Sequence, residues 1–166
     1  MKPTTATPSL VQRMLEIAVI AHAGQTRANG DPYIFHPLRL MLRAAGDPIQ
    51  QAVNIGHDLL EDTMVTVLAL RTFLGDVPGA DEAIEAIQLL TKTAGQDYDV
   101  YILRVSANKY ARRCKIDDLL DNSNYDELPE ITEHAIRRTQ KYAGALGFLK
   151  QQERLFLETL QPDPQE

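Results

Sequence analysis

Gly56-His57-Asp58-Leu59-Leu60-Glu61-Asp62-Thr63 sets an imidazole beside a carboxylate, with two more carboxylates about one helical turn further on. Residues four apart on an α-helix share a face, so a continuous helix here puts His57 over Glu61 and Asp58 over Asp62. Carboxylates gathered in this way repel one another, and a bound cation or a shared proton relieves the repulsion. The octet therefore reads as a metal site with an acid-base partner beside it. The bland alternative is a solvated acidic face near a helix end, and so short a motif does not separate the two.

A second acidic stretch, Ile116-Asp117-Asp118-Leu119-Leu120-Asp121-Asn122, pairs Asp118 with Asn122 and Asp117 with Asp121 at the same spacing of four. Spacing alone leaves open which carboxylate points inward, and a solvated face accounts for one pair but not both. His36 stands before Pro37 at the end of a loop rich in Gly, Asn-Gly and Asp-Pro, Gly24 to Pro37. With Pro37 as first helical residue, His36 falls at the cap, from which its ring can point into a cleft or simply cap the helix. His22, at the end of the first helix, suits a structural or capping role better than a ligand role. Arg138 and Tyr142 share a helical face, a cation and a stacking ring together. They suit either a phosphorylated, ring-bearing ligand or an ordinary basic surface.

The elements that must position these groups are helices. Ser9 and Gln12 form a capping box ahead of Leu10, Met14, Ile17 and Ala21. A second helix runs from Pro37 to a stop at Gly46, and Asp47-Pro48-Ile49-Gln50 opens a third that ends in the octet. Further helices run from Thr66 to Phe73, Asp81 to Leu90, Asp97 to Ala107, Asn108 into the second acidic stretch, and Thr132 to about Leu160. Gly144 and Gly147 in the last mark a close helix contact or a break. No β-rich segment or repeat is present. The reading is all-α: a single helical bundle of about eight helices over residues 1–166, with its core at about 9–160.

A chain of 166 residues with 44% hydrophobic residues can bury one self-sufficient core. The net charge of −6 argues against nucleic-acid polymers and anionic membranes as partners, but not against a small phosphate compound held by a metal and a few local cations. Cys114 is the only cysteine, so a metal site would use nitrogen and oxygen ligands. A polar, proline-broken N-terminus and the absence of a long apolar run favour the cytoplasm. Leu146, Phe148, Leu149, Leu155, Phe156, Leu157 and Leu160 give the last helix more apolar surface than one face needs. That hints weakly at a partner surface, while oligomeric state stays open.

Taken together, His36, His57-Asp58 and Asp118 supply two imidazoles and two carboxylates from three helical segments, a set suited to a divalent ion. At this point the chain resembles the HD-domain metal-dependent phosphohydrolases, most closely the hydrolase domain of RelA/SpoT enzymes and the small stand-alone (MESH1-like) alarmone hydrolases. The resemblance is carried by Ala21-His22-Ala23-Gly24-Gln25-Thr26-Arg27, Gly30 to Pro37, His57 to Thr63, and Lys115-Ile116-Asp117-Asp118 with Asn122. These motifs stand in the family's order, with His36 and His57 21 residues apart and His57 and Asp118 61 apart.

The resemblance implies His36, His57, Asp58 and Asp118 as ligands of one divalent ion, Mn2+ first. Asp118 is preferred to Asp117 because Lys115 and Asn122 stand in the family's register around it. It also implies attack of a metal-held water on a nucleotide 3′-diphosphate, (p)ppGpp or an adenine counterpart such as ppApp, with release of pyrophosphate. Glu61 and Asp62 would orient or deprotonate the nucleophile, and Arg27, Asn122, Arg138 and Tyr142 would hold the nucleotide. Ala28, Leu119 and Asp121 depart from the family's usual residues, which bears on substrate choice more than on the chemistry. No room remains for a synthetase domain, so hydrolysis alone is expected. Two other readings stand beside this one: the same fold acting on a 5′-mononucleotide or NADPH, and a catalytically silent nucleotide-binding module.

Overall fold

The computed structural model describes residues 8–124 and 131–160. Its regular structure is α1 (Leu10–Ala21), α2 (Phe35–Arg43), α3 (Pro48–Gly56), α4 (Leu59–Asp62), α5 (Val67–Leu74), α6 (Ala80–Leu90), α7 (Tyr98–Ser106), α8 (Lys109–Asn122) and α9 (Glu133–Thr159). The only β pairing among the described residues is an isolated bridge between Thr26 and Pro32. Six of the expected starts hold because they are local chemistry. Ser9 and Gln12 form the reciprocal capping box, and the side chains of Asp47, Thr66, Asp97, Asn108 and Thr132 accept first-turn N–H groups of α3, α5, α7, α8 and α9.

The core is built around α3, which is buried at Gln50 and from Ala52 to Gly56 and packs against α1, α2, α6 and α8. Its two polar residues are satisfied inside. Gln50 Nε2 donates to Asn54 Oδ1 at 2.8 Å and to the Tyr110 carbonyl at 3.0 Å. Asn54 Nδ2 donates to the Leu40 carbonyl at 2.7 Å and to Asp117 Oδ2 at 3.0 Å. One side chain thus ties α2, α3 and α8 together.

Two boundaries differ from the sequence reading. The octet is not a continuous helix: α3 ends at Gly56, His57 and Asp58 form a corner, and the one-turn α4 follows, so the described residues hold nine helices where about eight were expected. A Cβ at Gly56 would lie 2.6 Å from Met14 Sδ and 2.9 Å from Ile87 Cδ1, so glycine lets the end of α3 press against α1 and α6. The ordered stacking of His57 over Glu61 is lost, although both still face one cavity. The second difference is at α2, which starts at Phe35. His36 is therefore inside the first turn rather than at its cap, and Pro37 is the third residue. Tyr33 N–H to the Gln25 carbonyl (2.9 Å) and Phe35 N–H to the Pro32 carbonyl (3.1 Å) already turn the chain, and Pro37 fits because first-turn N–H groups lack intrahelical partners.

Helix α9 runs unbroken through Gly144 and Gly147, and a Cβ on either would meet nothing within 4 Å. They mark neither a break nor a close contact. Part of its apolar excess is consumed by the chain's own core, with Ala145 and Leu149 buried and Leu146 and Phe148 packed beside them, while Leu155, Leu157 and Leu160 stay exposed.

Glu153 pins the far end of α9 to α8, accepting from Arg112 Nε at 2.7 Å and Arg113 Nε at 2.6 Å. Arg112 is only 4% exposed, so losing the carboxylate strands a buried cation. Glu153→Gln should cost roughly 2 kcal/mol or more at pH 7. Although burial works the other way, the two guanidinium groups hold Glu153 below its ordinary value of 4.5. The unfolded chain therefore binds the extra proton as acid is added. The stabilisation is present above the unfolded-state value and lost as pH falls through the depressed folded-state one. Urea unfolding of wild type and variant should differ at pH 7 and converge toward pH 3; an equal gap at both would remove the ion pair from the account.

Candidate active site

A cavity of about 590 Å³ opens where α2, the His57-Asp58 corner, α4, α7, α8 and α9 meet. All ten residues singled out from the sequence line it: Arg27, His36, His57, Asp58, Glu61, Asp62, Asp118, Asn122, Arg138 and Tyr142. On its floor, ligand-type atoms of His36, His57 and Asp58 lie within 4.8 Å of one another. Asp118 is not part of that convergent group, but its Oδ1 lies beside it, 3.2 Å from His36 Nε2 and 3.9 Å from His57 Nε2.

Each group is aimed by its own element. The Asn54 carbonyl at the end of α3 accepts from His57 Nδ1 at 2.9 Å, which turns Nε2 toward the cluster. That Nε2 is buried and has no hydrogen-bond partner of adequate geometry, although Asp58 Oδ2 is 2.7 Å away. A buried ring nitrogen crowded by carboxylates is a donor set that a divalent cation satisfies. Burial opposes the imidazolium, but Asp58 and Asp118 overrule it and push His57 up to about 9. Asp58 is correspondingly held below its ordinary value by His57, against the effect of burial. The Tyr33 hydroxyl donates to Asp58 Oδ2, and burial with the Asp58 charge drives the Tyr33 pKa upward, so it remains a donor.

Within the second acidic stretch, packing places Asp118 at the cavity. Asp118 is 5% exposed and receives Lys115 Nζ on Oδ2 at 2.7 Å and Asn122 Nδ2 on Oδ1 at 2.6 Å. Burial would raise its pKa, yet Lys115 and His36 hold it far below the usual range. Asp117 points the other way, to Asn54 Nδ2. Neither pair of this stretch forms a solvated face, because Asp121 is also buried, at 4%.

Glu61 and Asp62 flank the floor unequally. One Glu61 oxygen accepts from the Lys92 backbone N–H at 2.8 Å. Asp62 has its pKa raised, first by partial burial and then by Asp58, which moves it toward the range of a working proton acceptor. The Asp62 carbonyl accepts from Gln25 Nε2 at 2.8 Å, and Gln25 Oε1 lies 2.7 Å from His22 Nδ1. His22 is therefore the C-terminal cap of α1 and a support for the Asp62 backbone.

Across the cavity, Arg138 sits 5.9 Å over the Tyr142 ring and Lys141 4.0 Å over Tyr98. Six Lys and Arg side chains (Arg27, Lys92, Lys115, Arg137, Arg138, Lys141) face four carboxylates, so the cavity reverses the protein's overall negative charge. Tyr33, Lys92, Tyr98, Tyr101 and Asp121 were not singled out from sequence as site residues. Tyr33 lies in the Gly24-to-Pro37 loop, within the stretch from Gly30 that carries the family resemblance. Asp121 was visible in the spacing of the acidic stretch, and the others gave no local signal.

No family model matches the chain. It is 45% identical over 74 residues to a probable GTP pyrophosphokinase of Mycobacterium leprae, covering 43% of this chain and 9% of that protein. It is 32% identical over 92 residues to a probable guanosine-3′,5′-bis(diphosphate) 3′-pyrophosphohydrolase of Synechocystis, covering 54% and 12%. A guanosine-3′,5′-bis(diphosphate) 3′-pyrophosphohydrolase of Aquifex aeolicus is 31% identical over 118 residues, 68% of this chain and 17% of that protein. The chain thus spans only 9% to 17% of the length of these relatives. A solved structure described as a metazoan ortholog of SpoT that hydrolyzes ppGpp superposes with a TM-score of 0.69 at 15% identity, over 94% of this chain and 98% of that one. In sequence the chain is similar to RelA/SpoT-type proteins, and it shares the all-helical fold of a small SpoT-like hydrolase, as its motifs led one to expect.

Proposed function

We propose that the protein is a divalent-metal-dependent hydrolase of a nucleotide 3′-diphosphate, (p)ppGpp or an adenine counterpart such as ppApp, releasing pyrophosphate. The observation that carries this reading is a single cavity with a His/Asp ligand cluster on its floor, two carboxylates at its edge and a ring of cations opposite. The similarity to proteins named as 3′-pyrophosphohydrolases supports the choice of substrate class.

In this reading His36, His57, Asp58 and Asp118 hold the ion, Mn2+ before others. A bound divalent ion supplies Lewis acidity, neutralising phosphoryl oxygens and easing deprotonation of water. Lys115 keeps Asp118 anionic, and Tyr33 fixes the orientation of Asp58. Asp62 accepts the nucleophile's proton, while Glu61, tethered to Lys92, orients. Arg27 and Asn122 contact the nucleotide near the reacting phosphates. Arg138 and Tyr142 grip its far end by charge and stacking. The partner is a small nucleotide rather than a polymer. Among the described residues no helix is long and apolar enough to cross a membrane, and the unpaired, buried Cys114 accords with a reducing, cytoplasmic setting.

The test is product analysis of metal-stripped protein given Mn2+ and offered ppGpp, ppApp, NADPH and a mononucleotide panel. Pyrophosphate from either of the first two supports the reading and names the base. Orthophosphate from another compound moves the function to a different nucleotide phosphohydrolase. Nucleotide binding without turnover under any metal makes it a silent module.

A further inference from the structure

Asp121 takes no part in the chemistry above, yet its carboxylate lies where that chemistry is held in place. Oδ2 is 2.7 Å from His36 Nδ1, 2.8 Å from Arg39 Nη2 and 3.1 Å from Arg27 Nη1. Oδ1 accepts from Arg39 Nε at 2.9 Å and from Arg43 Nη2 at 3.4 Å. A carboxylate this buried is costly unless its lone pairs are satisfied. Here the Arg39 fork takes it through two nitrogens, and a bidentate guanidinium pair fixes the carboxylate plane as well as its charge.

With that plane fixed, two further directions follow. A carboxylate can only accept, so His36 carries its proton on Nδ1. Its Nε2 is then the ring nitrogen turned toward Asp118 Oδ1 at 3.2 Å and Asp58 Oδ2 at 4.0 Å. On the other side Arg27 donates Nη1 to Asp121 and Nη2 to Asn122 Oδ1 at 3.2 Å, which helps set its guanidinium against the cavity wall. The same carboxylate therefore aims one group at the ligand cluster and another at the space for the nucleotide.

We infer that Asp121 is a positioning residue shared by both halves of the site: through His36 it sets metal affinity, and through Arg27 it sets affinity for the anionic substrate. Arg39 is its anchor from α2. The inference rests on the metal-dependent reading above. Metal ligands of this kind lose about 10- to 100-fold in affinity when the carboxylate behind the imidazole is removed.

The experiment is an electron-paramagnetic-resonance titration of Mn2+ into wild type, Asp121→Ala, Asp121→Asn and Arg39→Gln, with ppGpp kinetics at saturating Mn2+ alongside. Asp121→Ala should weaken Mn2+ by about 10- to 100-fold, with Asp121→Asn and Arg39→Gln shifted less in the same direction. With the metal saturated, KM for ppGpp should stay raised in Asp121→Ala while kcat changes far less. Wild-type Mn2+ affinity and KM in a variant that has lost only thermal stability overturns the inference. Failure of the site reading looks different: wild type takes up no Mn2+, or His36→Ala takes it up as well as wild type does. Should Asp121→Ala not fold, histidine 15N spectra of zinc-loaded wild type decide. Coordination of His36 through Nε2 with the proton on Nδ1 supports the inference, and coordination through Nδ1 overturns it.

Discussion

Asp58→Ala is expected to lose turnover by at least about a thousand-fold, since a divalent ion in phosphoryl chemistry contributes several kcal/mol and each 1.36 kcal/mol is a factor of ten. The loss should appear first in Mn2+ binding, because Asp58 is one of three residues whose ligand-type atoms converge within 4.8 Å. In the metal-free wild type the same carboxylate helps push His57 up to about 9. Metal must then displace a proton from that ring, so apparent Mn2+ affinity should climb as pH is raised from 7 toward 9. In Asp58→Ala that climb should flatten. Near-normal turnover in the variant, or a wild-type affinity that falls with rising pH over this range, would take the ion out of the reaction.

Asp62→Asn should lower kcat by about 10²- to 10⁴-fold, the usual worth of a positioned general base, while Mn2+ affinity stays at the wild-type level. The amide matches the carboxylate in shape but cannot accept the nucleophile's proton. Glu61→Gln keeps an oxygen for the Lys92 N–H, so its loss should be smaller. Steady-state kinetics beside a metal titration separates the possibilities. Unchanged kcat in Asp62→Asn would pass the base role to another group, and lost Mn2+ binding would make Asp62 a ligand instead.

Helix starts were legible in the sequence because a cap is a contact across three residues. Ser9, Asp47, Thr66, Asp97, Asn108 and Thr132 each cap the helix they announce. The ten candidate site residues were legible as residue types in an order, and the fold gathers them around one cavity. What stayed hidden depends on distant partners. The corner at His57-Asp58 comes directly after Gly56, which packs against Met14 and Ile87. Spacing alone leaves Asp117 and Asp118 equal, and only the family register of Lys115 and Asn122 prefers Asp118; the contact that turns Asp117 away comes from Asn54, 63 residues before it. Helix α8 buries Arg112, Asp118 and Asp121 together with Ala111, Cys114 and Leu119, so its apolar periodicity is erased. Asp121 meets partners 85 and 94 residues away, which no local pattern records.

Asn54 binds α2, α3 and α8 into one unit, the helices that hold or directly precede His36, the His57-Asp58 corner and Asp118. Tyr98, Arg138 and Tyr142 reach the same cavity from α7 and α9, outside that unit. In the proposed reading, the groups that hold the ion and those that grip the far end of the nucleotide therefore sit on different helices, joined where Glu153 of α9 meets Arg112 and Arg113 of α8. A substitution confined to the cavity face of α7 or α9 leaves the Asn54 tie between α2, α3 and α8 untouched.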